Sequence, residues 1–169
     1  MRVSKWSRSI IAAIILLSAC VVFAFFLLRD DCLIAESRGI ALLVWPISAG
    51  ECFEVTYTHS LNLSSVTDII EWTGRDMVVV KSVFKTFGAG IPVPADWIGS
   101  ELLFTGDHYE LIGIDKHMQG FSIITQQVPN HKITFNEREA FLLDIAESGT
   151  PITITVKRLT FIQRLMASG

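Results

Sequence analysis

One short segment holds the side chains best suited to chemistry: Tyr57, His59 and Ser60, followed by Asp68. A serine, a histidine and an aspartate are the components of a nucleophilic triad, in which the histidine must hydrogen-bond the serine hydroxyl. Adjacent residues of a β-strand point to opposite sides, so His59 and Ser60 cannot pair while a strand continues through them. We therefore predict that no residue is catalytic and that the chain is not an enzyme.

The strand that carries these residues is recognisable from its alternating polarity between positions 52 and 60. Every second residue up to Tyr57 is apolar, and His59 continues the same face. His59 is therefore expected where the strand leaves the core. A histidine at such a position is expected to be structural, with a hydrogen bond to Asp68 or to a backbone carbonyl.

No metal or cofactor motif is found in the sequence. The four histidines, at positions 59, 108, 117 and 131, lack the spacings that place two ligands on one side of a helix or strand, and no cysteine pair has zinc-finger spacing. A glycine-rich phosphate loop between a strand and a helix is missing as well. We predict no metal site and no cofactor.

The most distinctive stretch is an apolar loop rich in glycine and proline. Two glycines enclose one alanine, and glycine permits positive φ and the close approach of another chain segment or a ligand. Two interpretations stay open: a turn that only reverses the chain, or an exposed apolar lip that meets a partner or an extended ligand. The candidate residues of this loop are Phe87, Gly88, Gly90, Ile91, Pro92 and Trp97.

The N-terminal part is strongly apolar, with 19 uncharged residues from Ile10 to Leu28. A helix of this length rises about 28 Å, close to the thickness of the hydrocarbon core of a bilayer. Three basic residues precede it, and positive charge stays cytoplasmic. We predict a cytoplasmic segment 1–9, a single-pass transmembrane signal-anchor 10–28, and a domain 29–169 outside the cytoplasmic (inner) membrane, in the periplasm or at the cell exterior.

Two other interpretations of the N-terminus place the domain on the same side. The first is a cleaved signal peptide, which would have a shorter apolar core and a small-residue cleavage site. The second starts from Leu17-Ser18-Ala19-Cys20, which resembles a bacterial lipobox and would make Cys20 a lipidation site. The apolar run continues to Leu28, which favours the uncleaved anchor over both.

The net charge and the cysteines of the domain indicate which partners it disfavours and which bonds it could form. The first 28 residues hold three of the 14 basic residues and none of the 17 acidic ones, which leaves 11 basic and 17 acidic residues and a net charge of −6. This balance argues against nucleic acid as a partner. In an oxidising compartment Cys32 and Cys52 are candidates for a disulfide, with two free buried thiols as the alternative.

Short β-branched segments, separated by turn residues every 8 to 12 positions, predict an all-β fold. We expect a mainly antiparallel sandwich or partly open barrel, preceded by the transmembrane helix. One short helix near the C-terminus is expected, capped by Asn136 with Glu139 in a capping box and ended by Gly149. The amphipathic tail 157–169 would finish the core or dock on a neighbour. The predicted strands are Cys32–Glu36, Ile40–Ile47, Cys52–His59, Thr67–Thr73, Met77–Thr86, Glu101–Phe104, Tyr109–Ile114, Gly120–Gln126, Lys132–Phe135 and Pro151–Lys157.

Taken together, Tyr57-Thr58-His59-Ser60, the acidic Asp68 and Phe87-Gly88-Ala89-Gly90-Ile91-Pro92 resemble an uncharacterised bacterial family, domain-of-unknown-function family 1850. The resemblance extends from about Arg38 to Lys157. The acidic residue of the family is usually glutamate, whereas this chain has the shorter Asp68.

The resemblance implies a function by association. Members are small exported or membrane-anchored proteins whose genes tend to lie beside TRAP transporters of the TAXI type. It implies an extracytoplasmic accessory or scaffold module that contacts an integral membrane transporter subunit or its substrate-binding protein. The alternative is a periplasmic module that binds a small carboxylate or a cell-envelope ligand through His59, Asp68 and the Gly88–Pro92 loop. An envelope hydrolase ranks third.

Overall fold

The structure, a computed structural model, describes residues 5–88, 91 and 93–167, without the side chains of residues 5–9 and 24–27. Within these ranges eleven strands form two antiparallel sheets, which confirms the antiparallel β-sandwich. Residues 89, 90 and 92 of the glycine loop lie outside the described part. The strands are β1 Arg29–Ser37, β2 Ile40–Pro46, β3 Cys52–Thr58, β4 Ser65–Trp72, β5 Met77–Phe84, β6 Glu101–Phe104, β7 Tyr109–Met118, β8 Gly120–Ile124, β9 Lys132–Phe135, β10 Arg138–Phe141 and β11 Pro151–Thr160.

The smaller sheet has the strand order β2-β1-β11-β8, and the larger has the order β10-β9-β3-β4-β5-β7-β6. Between the sheets lies an apolar core to which both contribute, with Leu33 and Ile152 from the smaller sheet and Phe53 and Met77 from the larger. A second apolar cluster lies on the larger sheet, where Ile91 of the β5–β6 segment packs with Phe84 and other strand residues. Ile91 and Trp97 of the β5–β6 segment therefore cover the larger sheet where the smaller sheet does not.

Three α-helices accompany the strands in the described ranges: α1 Lys5–Leu27, α2 Leu142–Ile145 and α3 Phe161–Ala167. The C-terminal tail thus extends β11 and then forms α3, which packs against β2 and β11. The predicted transmembrane helix is not found: among the residues described, no helix has both the length and the apolar character needed to cross a membrane.

The helix predicted from Asn136 to Gly149 is found only at Leu142–Ile145, and the prediction is wrong on both sides of that range. Asn136 has φ 54°, and with Glu137 it forms the two-residue turn of a hairpin in which Phe135 pairs with Arg138. Asparagine tolerates this left-handed conformation, which favours a tight hairpin over a helix cap. Glu139 then faces the ammonium of Lys132 at 3.1 Å across the hairpin. The short α2 ends at Ile145 with Ala146 as its C-cap, so Gly149, although it has a positive φ of 88°, does not end the helix.

The disulfide between Cys32 and Cys52 is not formed, and the three cysteines are free. Cys32 comes directly before the core residue Leu33 in β1, and Cys52 comes directly before the core residue Phe53 in β3. Both thiols therefore point away from the space between the sheets, and they do so from different sheets. Cys32 is buried and Cys52 is exposed, so the alternative of two buried thiols holds for Cys32 alone.

Candidate functional site

The pairing of β3 with β4 brings Tyr57 and Asp68 to the same face of the larger sheet. Val55 is opposite Asp68, and Tyr57 is opposite Val66. Because residues directly opposite each other share a face, Tyr57 and Asp68 are diagonal neighbours on the face that carries the core. The predicted alternation of β3 is confirmed by its buried residues.

Asp68 is half-buried, and the Ser82 hydroxyl on the adjacent strand β5 donates a hydrogen bond of 2.7 Å to its Oδ1. Burial raises the pKa of this carboxyl from its ordinary value of 3.8, while the Ser82 hydrogen bond and the charge of Lys116 lower it. In the described part of the chain no cation forms an ion pair with Asp68. The result is a partly desolvated carboxylate with a single hydroxyl donor.

A cavity of about 380 Å³ lies beside this carboxylate. Its walls on the sheet side carry Tyr57, Asp68 and Lys116, and the β5–β6 segment contributes Trp97 and Asp96. Burial, with the negative charge of Asp68, raises the pKa of the Tyr57 phenol to about 12. Tyr57 therefore keeps its proton near neutral pH. The remaining lining residues are the aliphatic side chains of Val79, Ile91 and Ile114.

Trp97 lines the cavity, and its indole also carries a buried donor. Its indole Nε1 is buried and has no hydrogen-bond partner among the described residues. The Lys116 ammonium lies 5.6 Å from the centroid of the indole ring, within the range of a cation–π contact. An indole N–H that lacks a partner is unusual in a buried position and calls for an acceptor.

His59 belongs to a tight turn and is not among the residues that line the cavity. The residue is only 7% exposed, and the ring Nδ1 accepts a hydrogen bond of 3.3 Å from the backbone N–H of Leu61. The backbone of His59 is held on both sides, by a 2.8 Å bond to the carbonyl of Ser64 and a 2.9 Å bond from the N–H of Leu63. Ser60 is exposed and forms no hydrogen bond with His59 in the described contacts.

The His59 ring is packed directly against Gly88 of the glycine loop. A Cβ at position 88 would lie 3.2 Å from His59 Cε1 and 3.3 Å from Asn62 Nδ2, closer than ordinary van der Waals contact. Glycine at this position thus permits the approach that the sequence predicted. His59 and Gly88, which carry the family resemblance, are brought together by the fold.

The interpretation of the loop as an exposed apolar lip is wrong for Ile91, which is 6% exposed and belongs to the core. Trp97 is partly buried against the same cluster. Phe87, by contrast, is exposed and lies 4.7 Å from the ring of Tyr109. Gly90 and Pro92 lie outside the described residues.

An exposed apolar surface that the sequence did not predict lies at one end of the larger sheet. Several turns meet there, because β3, β5 and β6 end where β4, β7 and β9 begin. The ring of Phe104 lies 4.9 Å from that of Tyr109, tilted by 41°, and the hydroxyls of Ser64 and Thr86 form a 3.0 Å hydrogen bond across two of the turns. We name this surface the apolar rim; its residues are Leu61, Leu63, Phe87, Phe104 and Val128.

The cavity residues that sequence reasoning missed are Val79, Asp96, Ile114 and Lys116. Val79 and Lys116 are opposite each other across β5 and β7, a pairing that only the register reveals. No group of three histidine, cysteine or acidic side chains that would suit a metal ion is found in the parts of the chain described here.

Comparison with known families gives one match. The sequence model of the family "Domain of unknown function (DUF1850)" matches residues 53–142, just over half of the chain. The matched region runs from β3 to the start of α2 and contains both the cavity and the apolar rim. No curated protein and no solved structure gives a significant match.

Proposed function

We propose, given that this chain belongs to the DUF1850 family, that it is an extracytoplasmic accessory module of a TRAP transporter of the TAXI type. In this proposal residues 10–28 hold the module in the cytoplasmic membrane, and the domain acts by protein–protein contact rather than by catalysis. The observation that carries the proposal is the apolar rim. The transporter itself comes from the association that the family resemblance implies.

The composition and build of the apolar rim support a docking role. Contiguous exposed apolar side chains on a soluble domain mark interaction sites more often than isolated ones do. Leu63 is 69% exposed and has φ 51°, a conformation that is unfavourable for a leucine. A strained and exposed apolar side chain does nothing for the stability of the isolated domain, which is consistent with selection for contact with a partner.

The position of the apolar rim favours a soluble partner over a membrane-embedded one. Asp31, close to the start of β1, accepts a 2.9 Å hydrogen bond from the indole of Trp72, at the end of β4. The chain that leaves the proposed anchor therefore joins the domain near Trp72 and Cys52. The apolar rim lies at the other end of the seven-residue β3, about 20 Å away. We propose the substrate-binding protein of the transporter as the partner.

The proposed anchor rests on the sequence of residues 10–28 and on the basic residues before it. A reporter that is active only outside the cytoplasm, fused after Gly169, is expected to be active. Protease added to spheroplasts should release a fragment that lacks about the first 28 residues. A lipid-labelled Cys20 or a mature N-terminus at Cys20 would replace the anchor with a lipoprotein, and an inactive reporter would contradict the proposal.

The docking proposal is tested by recovery of partners with the full chain from native membranes. Leu63→Asn removes an apolar contact while it relieves the strain of a left-handed leucine, so its melting temperature should be equal to or above that of the parent. Its recovery of the substrate-binding protein should fall at least about fivefold, equivalent to about 1 kcal/mol.

Ile98→Asn is the matched control, because Ile98 is fully exposed but lies before β6, on the far side of that strand from Phe104. This variant should recover the partner as well as the parent does. Equal recovery with Leu63→Asn and the parent would contradict docking through the apolar rim.

A further inference from the structure

The cavity beside Asp68 has features that docking through the apolar rim does not require. It opens where the core between the sheets meets the second apolar cluster, on the larger sheet, and Val79 packs against both. A volume of about 380 Å³ is within the range of small-molecule sites, about 300–1,000 Å³. Most gaps of this kind are closed by side chains, because protein interiors are tightly packed.

The part of the cavity around Asp68 is suited to a cation. The Asp68 carboxylate is half-buried, receives one hydrogen bond from Ser82 and has no ion pair in the described residues. The nearby ring of Tyr57 gives an ammonium group a second favourable neighbour. An ammonium that paired with Asp68 would replace the water that this carboxylate lost on burial.

Lys116, on the same sheet wall as Asp68, and Trp97 of the β5–β6 segment are suited to an anion or another strong acceptor. The buried Nε1–H of Trp97 has no partner, and the ammonium of Lys116 lies over the same ring. An acceptor placed near both would satisfy the indole donor and neutralise the lysine. Asp96 is exposed at the cavity and already accepts a 3.1 Å hydrogen bond from the N–H of Val93, so it is less available.

Aliphatic side chains line the remaining wall, with Ile91 and Ile114 both more than nine-tenths buried. We propose that this cavity binds a small zwitterion with an ammonium group on Asp68, a carboxylate between Trp97 and Lys116, and a short apolar side chain on the aliphatic wall. An α-amino acid with a branched aliphatic side chain has this chemistry.

This site differs from the carboxylate site that the sequence suggested. His59 lies in the turn beyond the cavity and packs on Gly88, so it has no place in the ligand contacts. Ligand recognition here requires a positive group as well as a carboxylate, since two carboxylates and only one lysine line the cavity. The site is independent of the proposed docking function.

The test uses three probes of nearly equal shape with the full chain in detergent micelles. Leucine carries both charges, 3-methylbutylamine has only the ammonium, and 4-methylpentanoate has only the carboxylate. Titration calorimetry should give saturable one-to-one binding of leucine, with each single-charge probe at least about tenfold weaker. No saturable binding of leucine at millimolar concentration, or equal binding of 4-methylpentanoate, would overturn the proposal.

Three variants assign the two ends of the ligand. Asp68→Asn should weaken the binding of leucine by about tenfold or more, because it removes the partner of the ammonium. Binding of 4-methylpentanoate should be unchanged or tighter, because the same substitution removes a repelling negative charge. Trp97→Phe keeps an aromatic ring but removes the donor, and Lys116→Met removes the charge. Both should weaken the binding of leucine, and neither should weaken the binding of 3-methylbutylamine.

The exposed Glu137 provides the matched control, and Glu137→Gln should bind leucine as the parent does. If Asp68→Asn lowers the affinity for leucine no more than Glu137→Gln does, Asp68 does not bind the ammonium group and the proposal fails. Recovery of the substrate-binding protein, measured separately, is unaffected by this outcome.

Discussion

The contact between His59 and Gly88 predicts a strong coupling between two substitutions. A Cβ at position 88 would approach His59 Cε1 to 3.2 Å, a few tenths of an ångström inside normal carbon contact. Overpacking of this kind destabilises by about 1–3 kcal/mol. Because Gly88 does not have a left-handed φ, alanine also restricts the unfolded chain and stabilises by about 0.4–1 kcal/mol. Gly88→Ala should therefore lower the free energy of unfolding by about 1 kcal/mol.

The effect of Gly88→Ala on the free energy of unfolding should change when the His59 ring is removed. His59→Ala alone should cost about 1–3 kcal/mol, since it removes a buried acceptor from the N–H of Leu61. In that background Gly88→Ala no longer meets the ring, and the remaining approach, 3.3 Å to the end of the flexible Asn62 side chain, can relax, so the substitution should be neutral or stabilising by up to about 1 kcal/mol. The expected coupling free energy is thus about 1–3 kcal/mol.

Urea unfolding of the four proteins, followed by tryptophan fluorescence, measures this cycle. Gly39→Ala is the control, because Gly39 has φ 80° and open space around its missing side chain. Its cost comes from backbone strain and should be the same with and without His59. An equal cost of Gly88→Ala in both backgrounds would refute the close packing of ring and loop.

Three further predictions concern the cavity and the core. Asp68→Asn should raise the free energy of unfolding in urea at pH 7, because the raised pKa of Asp68 means that its charged form destabilises the folded domain. The gain should shrink as pH falls from the folded pKa towards the ordinary value of 3.8, and it should vanish below 3.8. Ile91→Asp should unfold the domain or lower its melting temperature sharply, as expected for a charge in the core, whereas Ile98→Asp should leave it unchanged. A maleimide should label the exposed Cys52 in the folded domain but reach Cys32 only after unfolding.

Most strands could be predicted because local chemistry and tertiary structure agree there. The turn at Arg38 and Gly39 has positive φ at both residues, as a two-residue hairpin between β1 and β2 requires. The alternation from Phe53 to Tyr57 predicted the buried face of β3, and the start of β5 at Met77 is as predicted. In these segments the two-residue alternation of a β-strand fits the sequence, and no helical pattern competes with it.

The prediction failed where one local pattern fits two structures. Asn136 followed by Glu139 has the composition of a helix cap and also that of a tight turn that enters a strand. β9 pairs with β3, which places Ile133 opposite Val55, and this pairing favours the hairpin of β9 and β10 over a helix that begins at Asn136. A sequence-local rule does not contain that long-range pairing.

The candidate site was predicted in part for the same reason. Tyr57, Asp68, Ile91 and Trp97 were among the predicted residues and line the cavity. His59 was predicted beside them, but the chain turns at His59 and directs its ring to Gly88. Lys116 was missed, because its position opposite Val79 follows from register shifts in the pairing of β5 with β7.

The central claim is that the apolar rim contacts the substrate-binding protein. A photo-reactive phenylalanine derivative in place of Phe104 tests it most directly, with the same derivative in place of Glu51 as the control near the start of β3. Irradiation of cells that express the full chain should link position 104, and not position 51, to the substrate-binding protein. Crosslinking of that protein through position 51 alone, or of the integral membrane subunit through position 104, would contradict the account.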